Sequence, residues 1–291
     1  MPVPLRIGLQ LYSVRRALAE STPKTLQRIS ELGFRYLEAA NHAADTDDGI
    51  GFGVPADELR TMFTDLGLQT VGAHVNPLRL DRLPAILDYQ QEIGCRQIGN
   101  DIEFFPAGDR DHVLRRADFF NQVGQLCADR GMRFYYHNHY QEFQSIDGDP
   151  VYQILLEHTD PELVFVEMDT YWVTRAGHNP IDWMKRYPER IVLLHQKDFP
   201  AQAPQPISMY DGVVDIDAEI DMPLFESVED PLCFTEIGTG VLPIQEIIDT
   251  ALTLPHLEYM LLEQDYSRHP DLESIERSRD AFRAYRGISW T

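Results

Sequence analysis

Short apolar, β-prone runs recur along the chain at residues 7–12, 36–39, 70–75, 96–99, 134–137, 164–168, 191–195 and 259–263. Between most of them lies a segment with helical periodicity. Thr22 and Pro23 read as an N-cap followed by proline at the first helical position. Leu26, Ile29 and Leu32 then form one apolar stripe, which Gly33 closes. Val113, Ala117, Phe120, Val123 and Cys127 repeat at helical spacing, with Gly131 after them, and Asn179-Pro180 opens a further helix. Strand-then-helix units repeated about eight times predict parallel strands covered by helices. Eight units fit a single closed (β/α)8 TIM barrel better than an open sheet. No G-x-G-x-x-G follows the first strand, which argues against a dinucleotide-binding fold.

Two stretches break the rhythm. Residues 41–55, rich in Asp and Gly, read as the loop after the second strand. Residues 200–231 are Pro-rich and acidic and follow the seventh strand. Such a long excursion predicts a lid, a substrate wall or an interface arm, and a solvated loop fits it equally well. Because an eighth strand and its helix still follow, one domain over residues 1–291 is expected, with an insertion at about 200–231.

Composition narrows the function. The formal net charge is −22, which opposes a nucleic-acid partner, because such binding draws on Lys and Arg contacts to phosphates. No apolar run approaches the ~20 residues of a membrane span, and the start, Met1 to Arg6, lacks the features of a signal peptide. A cytoplasmic protein without a membrane partner is therefore expected, and a homo-oligomer is compatible with the sequence. Cys95, Cys127 and Cys233 are far apart, which predicts reduced, buried thiols.

In a barrel of this kind, chemistry gathers at the C-terminal ends of the strands. There the fifth run ends in His137-Asn138-His139-Tyr140-Gln141-Glu142 and the sixth in Met168-Asp169. The seventh ends in His195-Gln196-Lys197-Asp198 and the eighth in Glu263-Gln264-Asp265. Any one of these residues alone reads more readily as a helix cap or a structural histidine. Four neighbouring strands ending alike point into one mouth. Carboxylates with an imidazole make a hard site, suited to Mn²⁺, Mg²⁺ or Co²⁺, with Zn²⁺ or Fe²⁺ also compatible.

Together with Ile7-Gly8-Leu9-Gln10-Leu11-Tyr12-Ser13 and Glu236-Ile237-Gly238-Thr239-Gly240, these motifs resemble the sugar phosphate isomerase/epimerase group of xylose-isomerase-like barrels. The resemblance runs from about residue 6 to about residue 285. It implies one divalent metal ion held by Glu142, Asp169, His195 and Glu263. His137 or His139 could stand in for Glu142, which already lies in the loop. The chain departs from the group's usual pattern in Gln196, and more so in the long segment after Phe199.

The reaction expected is proton abstraction next to a metal-chelated carbonyl of a ketose or keto-polyol, giving isomerisation or epimerisation. Glu142 and Glu263 would serve as ligands and as acid/base on opposite faces, with Lys197 polarising the carbonyl. Loss of a hydroxyl at the same site, as in an inosose-type dehydratase, is the alternative. Tyr12, His74, Asn100, His137 and Trp172 are candidate contacts to a sugar. Each is equally readable as barrel packing. An endonuclease IV-like phosphodiesterase and a non-catalytic sugar-binding barrel are the more distant alternatives.

Overall fold

The computed structural model describes residues 3–290. Eight parallel strands form the barrel: β1 (Leu5–Gln10), β2 (Tyr36–Asn41), β3 (Gln69–Val75), β4 (Gln97–Asn100), β5 (Arg133–His137), β6 (Val164–Asp169), β7 (Ile191–Gln196) and β8 (Tyr259–Leu262). They pair in sequence order, and β8 returns to β1 with Leu9 opposite Leu262, which closes the ring. All eight lie where the apolar runs predict them. Outside the ring, Ile288–Ser289 pairs with the start of β1, an addition that two residues give no pattern to foresee. Cys95, Cys127 and Cys233 are free and buried, as expected.

Helices α1 (Arg15–Glu31), α2 (Ala56–Leu66), α3 (Leu83–Glu92), α4 (Arg110–Ala128), α5 (Val151–His158), α6 (Thr170–Arg175), α7 (Pro180–Arg186), α8 (Met222–Val228), α9 (Ile244–Ala251) and α10 (Asp271–Phe282) complete the chain. The first helix starts earlier than Thr22-Pro23 suggests. Ser21, at φ −165° and ψ 99°, interrupts it, so the proline marks a restart rather than the beginning. The Asn179 side chain caps α7 by accepting from the Ile181 N–H at 3.0 Å.

Alternation along each strand turns every second side chain into the barrel. Tyr135 from β5 fills the lower interior, packed with Val71, Leu193 and Leu261. Glycine makes the room, since a Cβ at Gly99 would run into the Tyr135 ring. Above Tyr135 the interior turns polar, and its hydroxyl donates to Glu38.

Residues 200–231 cross the mouth of the barrel and are packed against it. Arg175 Nη1 donates to the Pro206 carbonyl at 2.6 Å, and Gln144 Nε2 donates to the carbonyls of Ile216 and Ala218. Asp221 caps α8 through the Leu224 N–H at 2.9 Å. From that helix Phe225 stacks on Tyr140, with ring centroids 5.4 Å apart and planes 11° apart. Phe225, Glu226 and Glu229 of this segment line the mouth, whereas Asp215, Ile216 and Asp217 are exposed.

Candidate metal centre and active site

Two buried layers of acid and imidazole groups are stacked inside the mouth. The lower layer joins Glu38, Glu167, His74 and His195. His74 Nε2 lies 2.6 Å from Glu167 Oε2, and His195 Nε2 lies 2.6 Å from Glu38 Oε2 and 2.9 Å from Glu167 Oε1. Burial opposes a charge on His74, but Glu38 and Glu167 outweigh it and raise its pKa to about 9. Burial raises Glu38 above the usual carboxylate range, with repulsion from Glu167 adding to it. Burial acts the same way on Glu167, yet His195 and His74 hold it well below that range.

The upper layer brings His137, Asp169, His195 and Glu263 together, with one ligand atom of each within 4.8 Å of the others. Their hydrogen bonds fix how the rings face. His137 Nδ1 lies 2.8 Å from the Asp101 carbonyl, which can only accept, so this nitrogen carries the proton. Nε2 has no hydrogen-bond partner and lies 3.5 Å from Asp169 Oδ2. His195 directs Nε2 at Glu38, leaving Nδ1 without a well-aligned hydrogen bond, 2.8 Å from Glu263 Oε2 and 3.9 Å from Asp169 Oδ2. Imidazole nitrogens and carboxylate oxygens facing one another at this spacing are a donor set that a divalent ion could bind in place of protons. Burial disfavours a charged His195, yet Glu167, Glu263 and Glu38 push its pKa well above 6.5. A position that draws a proton so strongly also draws a metal ion. The donor set, two nitrogens and two carboxylates at this spacing, fits one divalent ion with bonds of roughly 2.0–2.6 Å.

Lys197 Nζ bridges Asp169 and Glu263 and lies 3.7 Å from Asp265 Oδ1. Burial alone would raise the Glu263 pKa, but Lys197 and His195 hold it well below the usual range. Asp265, two residues on, goes the other way. Burial, then the charges of Glu263 and Glu229, push it well above its ordinary value against the pull of Lys197. Asp198 does not pair with Lys197. Its carboxylate accepts the N–H groups of Phe199, Gly238, Gly240 and Leu242 at 2.9–3.1 Å, fastening the loop after β7 to the loop before α9. The Gly238 turn, at φ +81°, is this tight backbone cradle for an acid side chain.

Glu142 stands apart from the upper layer. It lies in the short turn Gln141–Phe143, where Oε1 accepts from the Tyr136 hydroxyl at 2.7 Å and Oε2 from the His139 N–H at 2.9 Å. The position next to Asp169, His195 and Glu263 that the sequence reading gave to Glu142 is taken by His137. Period-two alternation from Tyr135 is the signal that points there. Glu167 and Asp265 also belong to the cluster, and each lies two positions from an expected ligand.

A cavity of about 330 Å³ opens above the upper layer, lined by His74, His137 and Glu263 below and by Tyr12, Tyr266 and Phe225 at its sides. Tyr12 and His74 therefore face the cavity, as a sugar contact must. Asn100 instead donates to the Ile102 carbonyl, and Trp172 is buried among Tyr140, Tyr171 and Phe225. Neither Asn100 nor Trp172 lines the cavity.

A closed parallel α/β barrel with an acid–imidazole cluster at the ends of its last four strands defines a barrel enzyme class whose chemistry sits in the strand-end mouth. The chain belongs to the xylose isomerase-like TIM barrel family, whose model matches residues 26–285. It is similar to the inosose dehydratase of Clostridium botulinum, 37% identical over 86 residues, or 28% of this chain and 27% of the relative. It is also similar to inosose dehydratase 2 of Bacillus cereus, 26% identical over 160 residues, or 55% of this chain and 49% of the relative. The matched stretches thus span from about a quarter to about half of these curated relatives. Among solved structures, a sugar phosphate isomerase/epimerase from Parabacteroides distasonis superposes with a TM-score of 0.77 at 22% identity, covering 99% of this chain and 98% of that one. A probable 3-DHS dehydratase from Bacillus anthracis gives 0.70 at 14% identity, covering 96% and 99%. At these identities the structural likeness speaks for the fold alone. Among the described residues no helix is long and apolar enough to cross a membrane.

Proposed function

We propose that this protein is a divalent-metal-dependent enzyme that removes a proton from the carbon next to a carbonyl of a keto-polyol or ketose. We further propose that the usual outcome is loss of a neighbouring hydroxyl as water. The observation that carries this reading is the pair Glu263 and Asp265, two acids lining one cavity, with Glu263 against Lys197 and His195 Nδ1 and Asp265 3.7 Å from Lys197. An ion held by His137, Asp169, His195 and Glu263 would act as a Lewis acid on the carbonyl and acidify the adjacent C–H.

Glu263, kept ionised by Lys197 and His195, takes the carbon-bound proton. The electron pair of that C–H bond becomes a C=C bond, and the C–O bond at the next carbon breaks. Asp265, whose carboxyl is pushed toward the protonated form by burial and by its anionic neighbours, gives a proton to the departing hydroxyl, so water leaves. Proton exchange with solvent then restores both carboxyls. Lys197 holds Asp169 and Glu263 in register throughout.

The similarity to inosose dehydratases supports the dehydration outcome. Epimerisation through two flanking glutamates has less support, because Glu142 is bound to Tyr136 and His139 and does not line the cavity. Isomerisation with Glu263 as the only base is the second reading.

The test is deuterium incorporation in heavy water, followed by NMR with Mn²⁺, Mg²⁺ or Co²⁺ and a panel of inososes and ketoses. A chelator should abolish exchange and added metal should restore it. Glu263→Gln should lose about 10²–10⁴-fold. Asp265→Asn should keep exchange but slow water loss. An aldose or diastereomer as product would favour isomerisation or epimerisation over dehydration. A broad panel showing no exchange would overturn the reading.

A further inference from the structure

The charge lining the cavity bears on what can enter it. Besides Glu263, given above to the ion, and Asp265, given above the role of proton donor, its acidic lining residues are Asp101, Glu226 and Glu229, and no Lys or Arg lines it among the described residues. The cations nearby are committed elsewhere. Lys197 is held by Asp169 and Glu263 beneath the cavity floor. Arg15 stacks on the Tyr12 ring at 3.8 Å and donates to the backbone carbonyls of Tyr12 and Asp265 at 2.8 and 2.6 Å. His74 is bracketed by Glu38 and Glu167. Asp169 and Glu263 already pair with Lys197 and would be shared with a bound ion.

We infer that this site takes an uncharged polyhydroxy ketone of single-ring size and excludes its phosphorylated or carboxylated counterparts. The inference rests on the proposed proton-abstraction function. Carboxylates accept hydrogen bonds and polyol hydroxyls donate them, so the wall and such a substrate are complementary. An ionised phosphate end offers mainly acceptors, and the wall answers it with carboxylates. Glu229 is half-buried in this wall and accepts from the Tyr266 hydroxyl at 3.0 Å. The volume, about 330 Å³, lies at the small end of the roughly 300–1,000 Å³ seen for ligand pockets. The rings of Tyr12, Phe225 and Tyr266 and the Met222 side chain supply apolar surface for the C–H faces of a ring.

Calorimetry on the Mn²⁺-loaded full chain tests this without turnover, using matched probes: myo-inositol against inositol 1-phosphate, and fructose against fructose 6-phosphate. The neutral member of each pair should bind at least tenfold more tightly. Rising salt should narrow that gap, because screening weakens repulsion more than hydroxyl hydrogen bonding. Glu226→Arg, an exposed change on the wall, should narrow it to below about threefold. Equal or tighter binding of the phosphates would overturn the inference, as would failure of every neutral polyol to bind. Failure of the parent reading looks different: neutral polyols, including inososes, would bind but exchange no carbon-bound hydrogen with solvent.

Discussion

Replacing Asp198 with Asn tests how the rim of the site is held. The wild-type carboxylate accepts four backbone N–H groups, Phe199 and Leu242 on Oδ1, Gly238 and Gly240 on Oδ2. Asparagine keeps one oxygen, so one pair of bonds survives and the other pair faces an NH₂ group. A hydrogen bond to a charged group is worth about 1.5–3 kcal/mol, which puts the gross loss at about 3–6 kcal/mol. Part of this is offset. Burial raises the Asp198 pKa despite the four donors, so the neutral amide escapes a desolvation cost that the carboxylate bears. The Gly238 and Gly240 amides are only part-buried, and asparagine will turn its NH₂ toward them. The lower end, about 3 kcal/mol, is the expected net loss. At roughly 2–4 °C per kcal/mol for a chain of this size, Tm should fall by about 6–12 °C in a calorimetric or circular dichroism melt. Hydrogen exchange should quicken at the amides of 238 and 240 while the β-strand amides stay protected. A fall of less than about 2 °C, with unchanged exchange at those amides, would refute this account of the motif.

The Glu142 carboxyl, raised to about 8 by burial against the donors Tyr136 and His139, should make stability depend on pH. Its ordinary value is about 4.3, so its contribution is fully present below that pH and is lost as pH rises through about 8. Glu142→Gln, whose amide can still accept from the His139 N–H and donate to the Tyr136 oxygen, should therefore gain in Tm over wild type between pH 5 and 9. The same variant should keep far more activity than Glu263→Gln, and an equal loss in both would return Glu142 to the catalytic centre. Gly99→Ala should cost about 1–3 kcal/mol or more from overpacking against Tyr135, read as a lowered denaturation midpoint. Wild-type stability there would show that the ring is not fixed by that close approach.

Much of the barrel is written in the periodicity. Each strand is a short β-prone run with a polar residue at its end, and caps such as Asn179 and the glycine after α4 mark the helices between. Asp169, His195 and Glu263 are legible because they end neighbouring strands. His137 against Glu142 is a different problem, since both fall in one motif and only the facing of β5 separates them. Glu167 is hidden for the opposite reason. It lies inside a run that reads as apolar, and only barrel closure brings it, with Glu38, onto His74 and His195. The role of residues 200–231 depends on tertiary contact, above all Phe225 on Tyr140, which no local pattern encodes. The start of α1 is obscured by Ser21, whose extended backbone divides one helical stretch into two. The N-terminal reading from Met1 to Arg6 rests partly on Met1 and Pro2, which lie outside the described residues.

The central claim is that the upper layer of the mouth is a metal centre built on His137. An anomalous difference map from crystals grown with Mn²⁺ tests it most directly. The account predicts one strong peak at roughly 2.0–2.6 Å from His137 Nε2, His195 Nδ1 and a carboxylate oxygen each of Asp169 and Glu263. A peak bound by Glu142 in place of His137, a peak in the lower layer between Glu38 and Glu167, or no peak at all would contradict it.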